Sequence, residues 1–393
     1  MKIVVNIHCL HPPLTGVGHY ARNILQILIN HPHVDELVGV SDQGWHSQED
    51  VKKILADPLG WENKLIEDSV LNRFIRFCKT LLRQVPGMLR LKYKLFPSTK
   101  NGFSTGCEDC IYWEPNYLPL PGVTNKIAIT IHDLSHIHYP QFHPKERLLE
   151  LQKLAKELDS ADCVITVSDF TRLELHQYFD VSEAIVSVVR PAIEPRFSVQ
   201  SQAVCDQVIK RYKLPSKFIL FVGTIEPRKN LKNLVLAYNS LPIKIQMEYP
   251  LVIAGGLGWY VEELEKILES IENSNIVRLG YVDSLDLPAL YSSATVFVYP
   301  SIYEGFGMPV LEAMACGTAV MTSNVASMPE VAEGAAALVD PHDVNEMAET
   351  IAILIAKSDL RKDMILRGLE VSKKYSWQDT TDSLIKAFLS LRS

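Results

Sequence analysis

The segment Glu304–Glu312 combines two acids with a glycine-rich loop, a pattern that suits binding of a phosphorylated, hydroxyl-rich molecule. It follows an apolar strand-like run, and Pro309 is typical of a first helical turn. Backbone N–H groups at such a helix start favour an anion such as a diphosphate. The loop residues concerned are Gly305, Phe306, Gly307 and Met308. One glutamate can accept hydrogen bonds from two neighbouring hydroxyls, so Glu304 and Glu312 suit a sugar or a ribose. The plainer alternative is a helix whose dipole merely stabilises nearby acids.

Two adjacent cations, Arg228 and Lys229, follow another apolar run, Phe218–Val222. Negative charge builds on a diphosphate oxygen as the bond to it breaks, and fixed cations stabilise that charge. The pair therefore suits a leaving diphosphate. If Arg228 and Lys229 were merely isolated surface residues, the pair would not indicate a diphosphate site.

These motifs together carry a resemblance to a known family. Glu304–Glu312 resembles the E-x7-E signature of family-four glycosyltransferases, which act with retention of configuration, and Phe221–Leu231 resembles their donor-phosphate loop. The likeness extends over nearly the whole chain. It implies that Glu304 contacts the transferred sugar, that Glu312 contacts the ribose, and that the two cations contact the diphosphate. Thr224 departs from the pattern, because many members have Arg there, and the resemblance leaves Arg228 to supply that charge.

The resemblance also assigns roles outside these two motifs. His132 ends the strand-like run Lys126–Ile131 and would hydrogen-bond the reacting sugar. Gly16 and Gly18 would approach the donor phosphates and the acceptor. Tyr281 and Val282 would lie beside the nucleotide base.

We expect no metal site and no cofactor, with the nucleotide sugar as a substrate. The histidines His132, His136, His138 and His143 have irregular spacing and no accompanying zinc motif. The chain also has no D-x-D sequence, the usual divalent-metal anchor of the other large glycosyltransferase fold. Metal independence is therefore expected.

Composition and alternation predict the elements that must position these residues. The chain has 393 residues, 47% hydrophobic and 22% charged, which is usual for a folded protein of two domains. A net charge of −7 argues against a nucleic-acid partner.

Strand-like runs in the first half are Ile3–Ile7, Leu37–Val40, Lys126–Ile131 and Cys163–Val167. Those in the second half are Phe218–Val222, Leu251–Ala254, Ile276–Leu279, Thr295–Tyr299 and Ala319–Thr322. Alternation with helical stretches predicts parallel sheets covered by helices.

The predicted fold class is α/β, and the resemblance makes it GT-B, with two doubly wound Rossmann-like domains facing across a cleft. We predict a first domain over residues 1–195, on the acceptor side, and a linker over 196–215. A nucleotide-sugar-binding domain would span 216–376, and a C-terminal helix over 377–393 would pack back on the first domain. Ligands of open α/β sheets bind at the carboxyl ends of strands, where the motifs lie.

The resemblance to bacterial mannosyl- and rhamnosyltransferases of surface polysaccharide assembly favours mannose from GDP-mannose, moved to a lipid-linked or oligosaccharide acceptor. UDP- or dTDP-sugar donors remain open. A sugar-nucleotide epimerase, a non-catalytic relative and an NAD-dependent dehydrogenase are the other candidates. For the dehydrogenase, Gly16-x-Gly18-x-x-Ala21 matches the dinucleotide fingerprint, but eight residues separate Ile7 from Gly16, whereas the fingerprint needs its first glycine in the turn leaving the strand.

The stretch 69–106 carries eight cations and no acid. Apolar residues lie between the cations, and Pro86–Gly87 divides the stretch, so two short basic amphipathic helices are plausible. Such helices lie in membrane interfaces, although a pair packed on the first domain with solvated cations would look the same. We expect a cytoplasmic protein attached peripherally to the inner leaflet through this stretch, because the short N-terminal apolar run does not resemble a signal peptide.

Co-sedimentation with liposomes tests this attachment. The protein should pellet with vesicles containing anionic lipid at low salt, because each cation near such a surface contributes about 1 kcal/mol. Added salt should release it. Neutral vesicles are the control, and absence of binding to anionic vesicles at low salt would exclude the attachment.

Overall fold

The structure is a computed structural model that describes residues 1–11, 14–41, 44–56, 110–120, 123, 126–256, 258, 266 and 275–392. The basic stretch 69–106 lies outside the described residues, and its membrane attachment stays a prediction. The chain forms two compact units. The first comprises Met1–Thr130, Lys153–Ile165 and Leu384–Ser393, and the second comprises Ile131–Gln152 and Thr166–Ser383. These units divide the chain at other residues than the predicted domains, whose bounds stay a prediction.

One sheet has seven strands. They are β1 (Lys2–Asn6), β2 (Glu36–Ser41), β3 (Gly44–His46), β4 (Ile111–Glu114), β5 (Lys126–Ile131), β6 (Cys163–Thr166) and β7 (Val186–Val188). Their order in the sheet is β3-β2-β1-β4-β5-β6-β7. β1 pairs in parallel with β2 and β4, with Val4 opposite Val38 and Tyr112. The short β3 pairs antiparallel with β2.

The other sheet has six strands. They are β8 (Ile219–Val222), β9 (Leu251–Ala254), β10 (Ile276–Gly280), β11 (Val296–Tyr299), β12 (Val320–Ser323) and β13 (Ala337–Val339). Their order is β10-β9-β8-β11-β12-β13, and every pair is parallel. The chain order reverses between β8 and β11, so the carboxyl ends of these two strands form the topological switch point where such sheets bind ligands.

Burial explains why the central strands could be recognised. Each residue of β8 and β11 is buried, as expected for parallel strands covered on both faces, which are apolar along their whole length. The prediction of two parallel-sheet α/β domains is confirmed. All nine predicted strands exist, with ends shifted by one residue at most. The strands β3, β4, β7 and β13 were missed; three of these have only three residues, too few to show a period.

Helices cover the strands. In the first half of the chain they are α1 (Gly16–Leu28), α2 (Gln48–Ala56), α3 (Ser135–His138), α4 (Lys145–Leu151), α5 (Leu154–Asp159) and α6 (Asp169–Tyr178). They continue with α7 (Gln202–Arg211), α8 (Leu231–Ser240), α9 (Ile243–Glu248), α10 (Leu287–Ser293), α11 (Met308–Ala315), α12 (Met328–Ala332), α13 (Val344–Ala356), α14 (Ser358–Ser372) and α15 (Trp377–Ser390). Short 3-10 turns are His8–Leu10, Pro140–Phe142, Glu183–Ile185 and Pro227–Lys229. Among the described residues no helix is long and apolar enough to cross a bilayer.

Two stretches singled out from the sequence are helical. α1 begins at Gly16, so Gly16 and Gly18 lie in its first turn. A Cβ on Gly18 would lie 2.5 Å from the Cys9 carbonyl oxygen, which explains a glycine inside a helix. The segment 196–215, predicted as a linker, contains α7, whose Cys205 and Val208 are buried. In the first unit, the ring of Phe388 from α15 packs edge-on to Trp113 of β4, with centroids 6.4 Å apart.

Candidate active site

The loop between β11 and α11 has a backbone that tolerates only glycine at two positions. A Cβ on Gly305 would lie 1.7 Å from the carbonyl oxygen of His132, so the loop rests directly on the segment that follows β5. Gly307 has φ of 113°, and its Cβ would lie 2.2 Å from Cε of Met328. Gly305 is therefore required by close packing against backbone, and Gly307 by its backbone conformation.

Hydroxyl groups hold the carbonyl groups of this loop. Ser168 Oγ lies 2.6 Å from the Gly305 carbonyl oxygen. Ser327 Oγ lies 2.9 Å from the Glu304 carbonyl oxygen and 2.6 Å from that of Phe306. Because these buried carbonyls are satisfied from within the protein, the loop is held in one conformation.

Glu304 is the centre of the site. Its side chain is buried, and Arg228 Nη1 lies 2.7 Å from its Oε2, while Lys229 Nζ donates to its Oε1. Oε1 also accepts from the Tyr299 hydroxyl at 2.9 Å and lies 2.8 Å from Ser301 Oγ. One carboxylate thus joins two cations and two hydroxyls at the carboxyl ends of β8 and β11.

The turn Pro227–Lys229 presents both cations to this carboxylate. The Arg228 carbonyl accepts from Ile302 N–H at 2.8 Å, which ties the turn to the loop after β11. Asn230, with φ of 60°, ends the turn, and its amide donates to the carbonyl of Pro300 at 3.0 Å. Arg228 also pairs with Glu226 at 2.8 Å.

The charges shift one another's pKa values. Burial alone would raise the pKa of Glu304, but Arg228 and Lys229 outweigh it and lower that pKa to about 2. Burial and the neighbouring Arg228 lower the pKa of Lys229. Burial raises the pKa of Glu226 despite Arg228. Glu304 is therefore ionised at neutral pH, with its charge balanced by Arg228 and Lys229.

The structure brings together part of the predicted site. His132, Arg228, Lys229 and Glu304 all belong to the second unit, with the His132 carbonyl against the loop that carries Glu304. Glu312 lies on α11, about one turn after its first residue, Met308, and accepts from the Tyr291 hydroxyl at 2.9 Å. The cluster of two cations on one carboxylate was not foreseen, since the sequence suggested separate contacts to a ligand.

Other predicted residues lie apart from this cluster. Tyr281 and Val282 directly follow β10; Tyr281 is 82% exposed, whereas Val282 is buried. Gly16 and Gly18 belong to the first unit. The contacts of Tyr281 and Val282 with the nucleotide base, and of Gly16 and Gly18 with the phosphates and the acceptor, stay predictions.

Sequence reasoning missed several residues of the cluster. They are Glu226, Tyr299, Ser301 and Ser327. In the sequence, Tyr299 and Ser301 look like ordinary strand and loop residues. Glu226 lies two positions before Arg228, and this spacing could have indicated that it belongs to the cluster. Ser168 is the N-cap of α6, where its Oγ accepts from Thr171 N–H at 3.0 Å, and Oγ also lies 2.6 Å from the Gly305 carbonyl oxygen.

No group of three or more His, Cys, Asp or Glu side chains within the described part of the chain has an arrangement that could hold a metal ion.

Comparison with known proteins places these features in context. Residues 207–371 match the family described as glycosyl transferases group 1. The chain is 35% identical over 391 residues to O-antigen chain mannosyltransferase B of Escherichia coli, covering 99% of each protein. It is 33% identical over 284 residues to the serotype-specific mannosyltransferase WbdA of Escherichia coli, a match that covers 70% of this chain and 34% of WbdA.

Solved structures share the fold along the whole chain. Sucrose-phosphate synthase from Thermosynechococcus elongatus has a TM-score of 0.69 at 18% identity and covers 99% of this chain and 98% of its own. Anabaena HepE, solved in complex with UDP and glucose, has a TM-score of 0.69 at 16% identity, with 99% and 100% covered. Both are GT-B proteins, so the predicted fold class is confirmed.

Removing the charge of Glu304 should destabilise the protein. In Glu304→Gln the shape is kept, but Arg228 and Lys229 lose their shared buried anion, which should cost about 3 kcal/mol of the free energy of unfolding. Urea unfolding measures the change.

Glu248→Gln is the matched control, because Glu248 pairs with Lys217 at 2.6 Å on the exposed surface, where such pairs contribute little. Equal unfolding midpoints for Glu304→Gln and this control would contradict the buried network.

Proposed function

The chain belongs to the group 1 glycosyltransferases, and from this premise we propose that it transfers mannose from GDP-mannose to a carbohydrate or polyprenol-linked acceptor, with retention of the anomeric configuration. It is a hexosyltransferase of surface polysaccharide biosynthesis. The donor, the stereochemistry and the acceptor class are the proposed parts.

The observation that carries the proposal is the convergence of Arg228 and Lys229 on Glu304 at a glycine-rich helix start. In this structure the Glu304 carboxylate pairs with both cations. A diphosphate offers them more negative charge than one carboxylate and also suits the N-terminus of α11. On its arrival the cations would turn to the phosphate oxygens, and Glu304 would be free to accept hydrogen bonds from sugar hydroxyls.

Mannose as the transferred sugar is supported by the relatives. Both Escherichia coli proteins described above are named mannosyltransferases, and one of them matches along the full length of this chain. We assign Glu312 to the ribose, Tyr281 and Val282 to the base, His132 to the reacting sugar, and Gly16 and Gly18 to the phosphates and the acceptor.

The proposed reaction is a front-face displacement. The bond from the anomeric carbon to the diphosphate oxygen breaks, and the acceptor oxygen bonds to the same face of that carbon. The departing phosphate oxygen takes the acceptor's proton, so no protein base is required, consistent with the very low pKa of Glu304. Arg228 and Lys229 stabilise the charge that builds on the leaving diphosphate.

We also propose that the acceptor is met at the membrane, which would explain the basic stretch 69–106. A polyprenol-linked acceptor is held at the inner leaflet, so peripheral attachment would raise its local concentration. The liposome experiment above tests this part by itself.

Donor choice is tested by thermal unfolding and by product analysis. GDP-mannose at about a hundredfold excess over its Kd should stabilise the folded protein by about 2.7 kcal/mol, and UDP-glucose and dTDP-rhamnose should do so less. NMR of the product made on a mannose oligosaccharide should show the α-configuration of the donor.

In Lys229→Ala, GDP-mannose should no longer raise the unfolding temperature. Turnover should fall about tenfold to a thousandfold, the scale of one preorganised charge. If another nucleotide sugar raised the unfolding temperature of the wild type more than GDP-mannose does, GDP-mannose would be excluded as the donor. A β-linked product would overturn retention.

Chelation tests whether protein cations alone neutralise the diphosphate. EDTA should leave the transfer rate unchanged within about twofold, because Arg228 and Lys229 supply the charge that a divalent metal would otherwise supply. Loss of transfer that magnesium or manganese restores would contradict this mechanism.

A further inference from the structure

Glu174 is a buried acid that the proposed reaction does not use. It lies on α6 with 6% of its surface exposed, and no Lys or Arg among the described residues pairs with it. The nearest basic group is His138, whose Nε2 lies 2.5 Å from Glu174 Oε1. Burial lowers the pKa of His138, so this imidazole is neutral near pH 7 and does not supply a compensating charge.

Burying such a carboxylate is unfavourable. Burial raises the pKa of Glu174 to about 7, and the Tyr303 hydroxyl only partly offsets it. The titratable groups that face this carboxylate are Asp133, His138, Tyr139 and Tyr303. A neutral side chain of similar size would avoid this cost, so the carboxylate needs an explanation in what it contacts.

Glu174 contacts the residue directly before Glu304. The Tyr303 hydroxyl donates to Glu174 Oε2 and accepts from Leu134 N–H at 3.0 Å. Leu134 follows the His132–Asp133 turn. One buried hydroxyl therefore links α6, the segment after β5 and the loop that carries Glu304.

Packing and backbone contacts hold Tyr303 in that position. Its ring lies between those of His138 and Phe170, with centroids 5.4 and 5.6 Å away. Its carbonyl accepts from Arg228 Nη1 at 3.2 Å. The N-cap of α6 contacts the residue after Glu304, because Ser168 Oγ lies 2.6 Å from the Gly305 carbonyl oxygen.

We infer that Glu174 is a positioning residue for glycosyl transfer, which acts through the Tyr303 hydroxyl to hold Glu304 in register with the His132–Leu134 turn. The inference rests on the glycosyltransferase function proposed above. α6 thus holds the catalytic loop at both neighbours of Glu304, by a charged acceptor on one side and by a hydroxyl donor on the other.

Two substitutions remove the link in different ways. Glu174→Gln keeps the shape and removes the charge of the acceptor, and Tyr303→Phe removes the hydroxyl but keeps the ring. Each should lower kcat about tenfold with the donor KM changed less than about twofold, since misplacement of a reacting group affects chemistry more than binding. The double variant should be no slower than the worse single variant, because both act on one interaction. Glu183→Gln, an exposed acid just beyond α6, is the matched control and should be unaffected.

A merely structural role predicts different readouts. Since the folded-state pKa of Glu174 is raised from 4.5 to about 7, its burial is free of cost at low pH and destabilises increasingly as pH rises through that range. Glu174→Gln should therefore melt no lower than the wild type at pH 8 while still transferring slowly. In the wild type, kcat should fall as pH drops below about 7, because a protonated carboxyl is a weaker acceptor for Tyr303; this limb should be absent in Glu174→Gln.

Hydrogen exchange makes the test independent of the donor. In Glu174→Gln, peptides covering 300–308 should exchange about threefold faster or more than in the wild type, whereas peptides of β9 should be unchanged. Unchanged exchange together with unchanged kcat would overturn the inference. A wild-type chain that transfers from no nucleotide sugar would overturn the proposed function, and the exchange result would still decide the role of Glu174.

Discussion

The buried ion cluster around Glu304 is the constraint on which the rest of the site depends. None of its three charged groups would be stable alone in this environment, because the burial of an unpaired charge costs several kcal/mol. Arg228 and Lys229 keep Glu304 ionised, and Glu304 in turn balances them. Their meeting requires that β8 and β11 be neighbours, which the reversal of strand order in the second sheet provides.

Close approach of backbone to backbone completes the arrangement. A Cβ on Gly305 would meet the backbone carbonyl of His132, and Gly307 has a φ of 113° that favours glycine. Buried hydroxyls satisfy the carbonyls in between, so the loop has few alternative conformations. A loop held in this way keeps Glu304 and both cations together, so the proposed turn of Arg228 and Lys229 toward a donor's phosphate oxygens needs no movement of the backbone.

The fold could be predicted largely because parallel strands buried on both faces leave continuous apolar runs, as in β8 and β11. β4 was missed although its four residues are buried, because Glu114 ends an otherwise apolar aromatic run. That acid accepts from Asn6 and from the Tyr112 hydroxyl, both at 2.8 Å, and burial raises its pKa to about 8. Asn6, distant in sequence, provides a partner for this acid inside the sheet, and no local sequence pattern contains that contact.

By itself the sequence determined the kinds of chemistry available: adjacent cations after one strand, and an acid with a glycine-rich helix start after another. It also determined the alternation that makes both sheets parallel. The tertiary structure decided that the cations and the acid contact one another, that Glu304 has a pKa of about 2 and Glu174 one of about 7, and that Tyr303 joins them. The physical reason is that desolvation and Coulomb energies depend on distances in space between residues dozens or more positions apart, and chain spacing does not contain those distances.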